Sequence, residues 1–255
     1  MGIIKYNFPL STEDLKTMTR FADSVRMALP LLSLFFAVFC IVLKEPKFNM
    51  EGVTQWQSLG RRKAVNTYSK KGDSGGKTAV KGDGLIDNHI SFVVAAFYNQ
   101  SLSTQWIDML EMSKEHKLRN KPSKFQLSDL LYQKYDLPYP ITDRDFVMRR
   151  DMAFDGTRKV VKALYRSVED KKYPLHKGVI RAETMYADWI FRALGPNQTH
   201  VEIETISDLK GGLPTFFVNY LQSQWPSNTI DSLRRLTGKL VSAGNLLPMK
   251  SIEKW

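Results

Sequence analysis

One arginine and one aspartate occupy positions where two neighbouring predicted strands otherwise carry apolar side chains. Alternate residues of a β-strand point to the same face. If residues 146–154 form a strand, Arg150 shares its face with a row of side chains that are otherwise apolar. The apolar members of that row are Phe146, Met148, Met152 and Phe154. Residues 125–136 place Asp129 in a second row of this kind, among phenylalanine and leucine. A charge that is buried alone is costly, so the two side chains should form an ion pair.

Such a pair permits two interpretations. Replacing a buried ion pair by apolar residues is often neutral or stabilising, so its presence hints at another role, such as binding a polar group of a ligand. The alternative is an ion pair at a strand edge or rim that never meets a ligand.

A second candidate site is an aromatic stripe near the C-terminus. After Gly211-Gly212 the spacing i, i+3, i+4, i+7, i+8 brings five large apolar side chains to one helical face. They are Leu213, Phe216, Phe217, Tyr220 and Leu221. Simple packing against a sheet would explain this stripe, and a lid over a site is the alternative. Pro226 should kink or divide the helix, because it removes one backbone hydrogen bond.

Other motifs that resemble catalytic or metal sites fail on their spacing. Residues 72–76 spell Gly-Asp-Ser-Gly-Gly, as around a protease nucleophile, yet no histidine precedes them. A phosphate loop ending in Gly76-Lys77-Thr78 would need glycine where the chain has Lys71. The four histidines lack ligand spacing, and Cys40 is the single cysteine. We therefore expect no catalytic residue, no metal and no cofactor.

The composition indicates a folded protein with an anionic partner. Hydrophobic residues make up 43% of the chain and charged residues 25%, which is ordinary for a globular protein. The net charge of +11 is high and favours either nucleic acid or an acidic membrane surface. Nucleic-acid binding would require a continuous basic stripe with exposed aromatic residues, whereas the lysines of this chain cluster in predicted loops.

Residues 27–43 form an uncharged apolar run of 17 residues, at the lower limit for a membrane-spanning helix. A cleaved signal peptide fits less well, because 26 residues with several charges precede the run. We expect a single-pass anchor; an interfacial or buried helix is the alternative. The flanking basic residues favour a cytosolic C-terminal domain. Sequons at Asn99 and Asn197 would be used only if that domain were lumenal.

Hydrophobic periodicity and turn residues predict an α+β domain after the apolar run. Residues 87–110 carry a helical pattern, and a long helix ends the domain. Glycine- and lysine-rich residues 72–84 predict a loop beside two short strands, 63–68 and 78–80. Further strands are predicted at 125–136, 146–154, 158–168, 178–193 and 200–207.

Three sequence blocks in chain order, and one shorter motif before them, resemble the START domain, the StAR-related lipid-transfer family. Residues 138–147, Pro-Tyr-Pro-Ile-Thr-Asp-Arg-Asp-Phe-Val, are similar to its P-x-P-x-x-x-R-D-F-V signature. Residues 177–183 and 208–214 resemble two further blocks, and Trp106-Ile-Asp108 resembles the family's Trp-Asp helix motif. The closest similarity is to the steroidogenic acute regulatory branch.

This resemblance implies a helix-grip fold, in which a curved antiparallel β-sheet wraps a long C-terminal helix and encloses a hydrophobic tunnel. It implies a monomeric, non-enzymatic domain at 48–245 that holds one lipid, with a sterol favoured, for transfer or sensing. The remaining predicted segments are an N-terminal polar segment (1–26), the anchor (27–43) and a C-terminal tail (246–255). A phospholipid or ceramide carrier and a helix-grip enzyme, either a hydrolase or a cyclase, remain alternatives.

The resemblance also assigns roles to particular residues. In the family's sterol branch an acidic residue and an arginine pair inside the cavity, and Asp129 and Arg150 match them here. The predicted lipid-contacting residues are Asp129, Arg150, Phe146, Met148, Met152, Leu213, Phe216, Phe217 and Tyr220. The predicted contacts to an acidic membrane, which salt should weaken, are Arg61, Arg62, Lys63, Lys70, Lys71, Lys77 and Lys81.

Overall fold

The computed structural model describes residues 56–71, 77–118 and 126–255. Ten strands in these ranges form one sheet with the order β1-β2-β3-β10-β9-β7-β6-β5-β4, and β8 pairs with β6. The strands are β1 Gln57–Arg62, β2 Val65–Lys71, β3 Thr78–Ile86, β4 Leu110–Lys117, β5 Leu127–Tyr135, β6 Arg144–Asp155, β7 Val160–Ser167, β8 Ile180–Arg181, β9 Glu183–Gly195 and β10 Gln198–Asp208. All pairings are antiparallel except the short parallel contact of β8 with β6. The predicted α+β architecture is confirmed.

The N-terminal part of the sheet differs from the prediction. Residues 63–68 were expected to form one strand, but Lys63 and Ala64 adopt left-handed φ angles of 49° and 56° and turn the chain between β1 and β2. Strand β3 extends through Gly82 and Gly84, which were expected to lie in a loop. A Cβ added at Gly82 would lie 2.7 Å from Pro226 Cβ, so this glycine permits a close approach of helix to sheet.

The predicted helix over 87–110 is shorter in the structure. Helix α1 spans Ile90–Tyr98, and His89 caps its N-terminus by accepting a hydrogen bond from the Ser91 N–H. A 3₁₀ helix follows at Gln100–Gln105. Strand β4 then forms an edge of the sheet that the sequence analysis did not predict.

The C-terminal helix is divided in two, close to the predicted position. Helix α2 spans Thr215–Ser223 and helix α3 spans Trp225–Ser242. Pro226 lies in the first turn of α3, where its missing N–H costs no intrahelical bond. The break therefore falls at Gln224, two residues before Pro226.

The main hydrophobic core lies where α1 and α3 pack against the sheet. It also includes residues beyond the predicted domain end at 245. Ile252 is 0% exposed, and the Trp255 carbonyl oxygen lies 3.1 Å from His89 Nε2. The predicted tail at 246–255 thus packs as part of the domain, because its apolar side chains complete the core.

Several sequence predictions concern residues outside the described ranges. They are the polar segment 1–26, the anchor 27–43, Cys40 and the Gly-Asp-Ser-Gly-Gly motif at 72–76. Within 56–71, 77–118 and 126–255, no helix combines the length and hydrophobicity needed to cross a membrane.

Candidate functional site

A largely apolar cavity of about 380 Å³ lies between the sheet and helix α2. Its volume is near the lower end of the roughly 300 to 1,000 Å³ typical of small-molecule sites. Strands β5, β6, β7, β9 and β10 supply alternate side chains to its wall, because alternate residues of a strand share one face. The apolar lining includes Trp106, Ile107, Phe146, Met148, Trp189, Ile203, Leu213, Phe217 and Leu221.

An aromatic cluster packs beside this cavity on the same inner face of the sheet. Phe97 of α1 lies 4.8 Å from Phe191 and 5.2 Å from Trp189, measured between ring centroids. Trp106 lies 5.7 Å from both Phe97 and Trp189. Because Trp106 and Trp189 also line the cavity, this cluster sets how deep the cavity reaches.

Four of the nine predicted lipid-contacting residues line the cavity: Phe146, Met148, Leu213 and Phe217. Met152 shares their face of β6 but is fully buried in the core. Phe216 is 59% exposed on α2. Tyr220 donates a hydrogen bond to Asp108, and this bond ties α2 to the segment after the 3₁₀ helix. Contact of these residues with a lipid stays a prediction.

The predicted Asp129–Arg150 ion pair is present, and both residues are almost completely buried. They stand opposite each other in the β5–β6 pairing, with exposures of 1% and 0%. Arg150 donates to Asp129 Oδ2 from Nη2 at 2.7 Å and from Nε at 3.2 Å. Glu115 Oε2 lies 3.6 Å from Nη2, and the guanidinium stacks 4.3 Å from the Tyr98 ring. Burial, followed by the charge of Asp129, raises the pKa of Tyr98 to about 12.

Neither member of this ion pair belongs to the cavity lining. Tyr165 connects the two features, because it lines the cavity and stands opposite Arg150 in the β6–β7 pairing. Burial raises the pKa of Tyr165, so its hydroxyl stays neutral. The predicted pair therefore lies beside the cavity on the same inner face of the sheet, two residues beyond Met148 along β6.

The cavity wall also carries polar side chains that the sequence analysis missed. Gln133 follows Asp129 and Leu131 in the same alternating row of β5, so extending that row would have found it. Its Oε1 accepts a 3.0 Å hydrogen bond from the Tyr135 hydroxyl. On the opposite wall the hydroxyls of Thr184 and Ser207 lie 3.1 Å apart, and Thr205 donates to the Tyr186 carbonyl. These are few polar groups in a mainly apolar space.

A buried arginine holds the loop that leads into α2. Arg144 donates to the carbonyl oxygens of Leu209 at 2.8 Å, Lys210 at 2.9 Å and Thr142. Gly211, with φ of 71°, follows directly and lies beside this guanidinium. Burial lowers the pKa of Arg144. The family-like Arg-Asp-Phe-Val block thus positions the edge of the cavity.

The predicted membrane-contacting cations do not form one surface. Arg61, Arg62 and Lys63 lie at the β1–β2 turn, whereas Lys70, Lys71 and Lys77 lie at the opposite end of β2 and the start of β3. Lys63 pairs with Asp231, Lys77 with Asp208 and Lys81 with Glu202, all within the domain. Their contact with a membrane stays a prediction.

Asp129 and His176, a carboxyl group and an imidazole that an enzyme could use as an acid–base pair, lie on opposite faces of the sheet. Asp129 faces the core, whereas His176 lies 6.2 Å from the ring of Tyr132, whose side chain points to the other face of β5. The structure does not bring them together as an acid–base pair.

Comparisons with known proteins agree with this architecture. A START domain family model matches residues 51–238. The uncharacterized protein PA1579 of Pseudomonas aeruginosa is 29% identical over 110 residues, which are 42% of this chain and 52% of that protein. The human START domain-containing protein 10 is 27% identical over 92 residues, 36% of this chain and 31% of that protein. The matches thus span about half and about a third of these relatives.

Solved structures show the same fold at low identity. The crystal structure of human STARD10 has a TM-score of 0.64 and 16% identity, and the match covers 77% of this chain and 79% of that one. Human StAR-related lipid transfer protein 5 has a TM-score of 0.64 and 13% identity, with 85% and 99% covered.

The matched region extends over most of the chain and contains the cavity, the buried ion pair, α2 and most of α3. Its sheet and helices form the START helix-grip fold, a fold of lipid binding and transfer. The chain belongs to the START domain family.

Proposed function

We propose that this chain binds one lipid molecule, preferably a sterol, in the cavity beneath α2, and carries or senses it at a membrane. The observation that carries this proposal is the mainly apolar cavity of about 380 Å³ inside a START fold. Burial of an apolar ligand surface contributes about 25 cal/mol per Å² before the costs of ordering. A few polar wall groups would orient the ligand.

The charges around the cavity favour a neutral ligand over one with an ionised headgroup inside it. Arg150 is already compensated by Asp129 and Glu115. Of the cations that line the cavity, Lys77 pairs with Asp208 at 3.1 Å and Lys210 with Glu183 at 3.4 Å, and the Arg144 guanidinium donates to backbone carbonyls. An ionised phosphate in the interior would need a cation that these contacts leave available, since an unpaired buried charge is strongly unfavourable. This argument supports a sterol over a phospholipid.

A substitution that fills the cavity tests this proposal. Ala187 of β9 lines the cavity, so Ala187→Trp should occupy ligand space and lower the fraction of lipid-bound protein at least tenfold. Native mass spectrometry of the full chain, purified in mild detergent from sterol-containing cells, should show one lipid adduct on the parent protein. Ala153→Trp, on the outer face of β6, is the matched control and should keep the adduct.

Two outcomes would contradict the proposal. A parent protein without any adduct, which also fails to bind added sterol, would remove lipid binding itself. A folded Ala187→Trp protein with as much lipid as the parent would place the ligand elsewhere. The overpacking itself should cost about 1 to 3 kcal/mol of stability, so folding is checked by circular dichroism.

We further propose that residues 27–43 tether the domain to a membrane as a single-pass anchor, with the lipid-binding domain in the cytosol. The support is the uncharged run of 17 residues with basic flanks. The full chain should stay in the membrane pellet after alkaline carbonate extraction, and a chain lacking 27–43 should not. Release of the full chain by carbonate would show that this segment does not span.

A further inference from the structure

Gln133 presents an unpaired hydrogen-bond donor at the cavity wall. The side chain is only 4% exposed, and it lines the cavity beside Phe146, its partner in the β5–β6 pairing. Its Oε1 is occupied by the Tyr135 hydroxyl at 3.0 Å. In the part of the chain that the structure describes, the amide Nε2 makes no hydrogen bond. Because Gln133 lines the cavity, its N–H groups are available to a ligand there.

The Tyr135 hydroxyl occupies the oxygen end of the amide by donating to Gln133 Oε1. Burial raises the pKa of Tyr135, so the phenol keeps the proton that it donates. The ring of Tyr135 is itself held, edge to face, 5.5 Å from Phe146. The amide is thus oriented before a ligand arrives, with its N–H groups left for another acceptor.

Other polar groups of the same wall sharpen the chemistry. Thr184, Ser207 and Thr205 satisfy each other or a backbone carbonyl. Trp106, a further lining residue, carries a buried indole N–H that also lacks a partner. Among the described lining residues, these two groups without a hydrogen bond are both donors, so the ligand group that fits them is an acceptor.

We propose that Gln133 is the polar anchor of the cavity and donates from Nε2 to a neutral hydroxyl or carbonyl oxygen on an otherwise apolar ligand. This inference rests on the proposed lipid-binding function and identifies where the ligand's single polar group lies. It shifts the anchor from the Asp129–Arg150 pair, which is already satisfied, to a side chain four residues further along β5. A neutral oxygen fits because it accepts the amide hydrogen without bringing a charge into the apolar cavity.

A competition between two sterols that differ only in the hydroxyl tests this anchor. Equal amounts of cholesterol and cholest-5-ene, which lacks the 3-hydroxyl, are offered to the full chain in one sample. Native mass spectrometry then reads the ratio of the two adducts, so incomplete folding or detergent competition affects both equally. The parent protein should prefer cholesterol about tenfold, in line with one net hydrogen bond in a buried site.

Gln133→Leu removes the donor while keeping an apolar side chain of similar size, and should bring the ratio close to one. Gln57→Leu makes the same change at an exposed position of β1 and should keep the parent ratio. Gln133→Met is a second variant in case the leucine protein folds poorly. An unchanged tenfold preference in the Gln133 variants would overturn the anchor while leaving sterol binding intact. A parent protein that binds neither sterol would refute the proposed sterol ligand, and the anchor with it.

Discussion

Replacing Arg150 by leucine should lower the free energy of unfolding by about 3 to 5 kcal/mol, because it leaves Asp129 ionised and buried without a partner. Asp129 is 1% exposed and receives two hydrogen bonds from Arg150. Glu115, 3.6 Å from the same guanidinium, would then add repulsion between two carboxylates. The loss is measured by urea unfolding of parent and variant.

Two further variants separate the ion pair from the loss of an arginine in general. Arg149→Leu changes the neighbouring residue, whose side chain is about a third exposed and paired with Asp151, and should cost at most about 1 kcal/mol. The double variant Asp129→Leu/Arg150→Leu removes both charges and should be more stable than Arg150→Leu alone. If the single variant unfolds at the same urea concentration as the parent, the pair is not the buried, coupled unit that the structure describes.

Phe97→Ala should also cost about 3 to 5 kcal/mol, through the lost burial and the void that remains. Phe97 is 1% exposed and touches the rings of Trp106, Tyr165, Trp189 and Phe191. Three of these rings line the cavity, so the void should join it. We therefore expect lower stability together with adducts of bulkier lipids in native mass spectra.

Phe97→Leu is the graded comparison, since it keeps part of the side chain and should lose less stability. Its adducts should stay close to those of the parent. Destabilisation without any change in the adducts of Phe97→Ala would mean that the surrounding rings collapse into the space, which would contradict a continuous void.

The sequence predicted the strands in which apolar and polar residues alternate clearly, and the helix break that follows from the local effect of a proline. The period of two placed Asp129 and Arg150 on the inward faces of neighbouring strands, because charged residues in apolar rows are conspicuous. Pro226 marked the division of the C-terminal helix to within a few residues, since proline is tolerated in a first turn but not inside a helix. These predictions needed only local patterns.

Other elements were missed where tertiary context overrides the local pattern. Strand β4, with the sequence LEMSKEHK, is a mostly exposed edge strand. It therefore has few apolar residues and lacks a clear alternating pattern. The glycine pattern around Gly82 predicts a loop, yet Gly82 lies within β3. A glycine is needed there because Pro226 packs closely against it. Gln133 was not predicted as a site residue, because an uncharged amide among the alternating residues of a strand does not indicate burial. Its role depends on the cavity that it lines.

The separation of α2 from α3 has an energetic consequence for access to the cavity. Helix α3 is fixed by the contact of Pro226 with Gly82 and by the bonds of Arg234 to the carbonyls of Leu85 and Lys63. If the nine residues of α2 moved away as a unit about Gln224, the Tyr220–Asp108 hydrogen bond would break. In water this motion would also expose Phe217, which is 2% exposed, at a cost of about 1.5 to 3 kcal/mol. Against hydrocarbon the cost of exposing Phe217 would disappear, whereas the lost hydrogen bond would remain a cost.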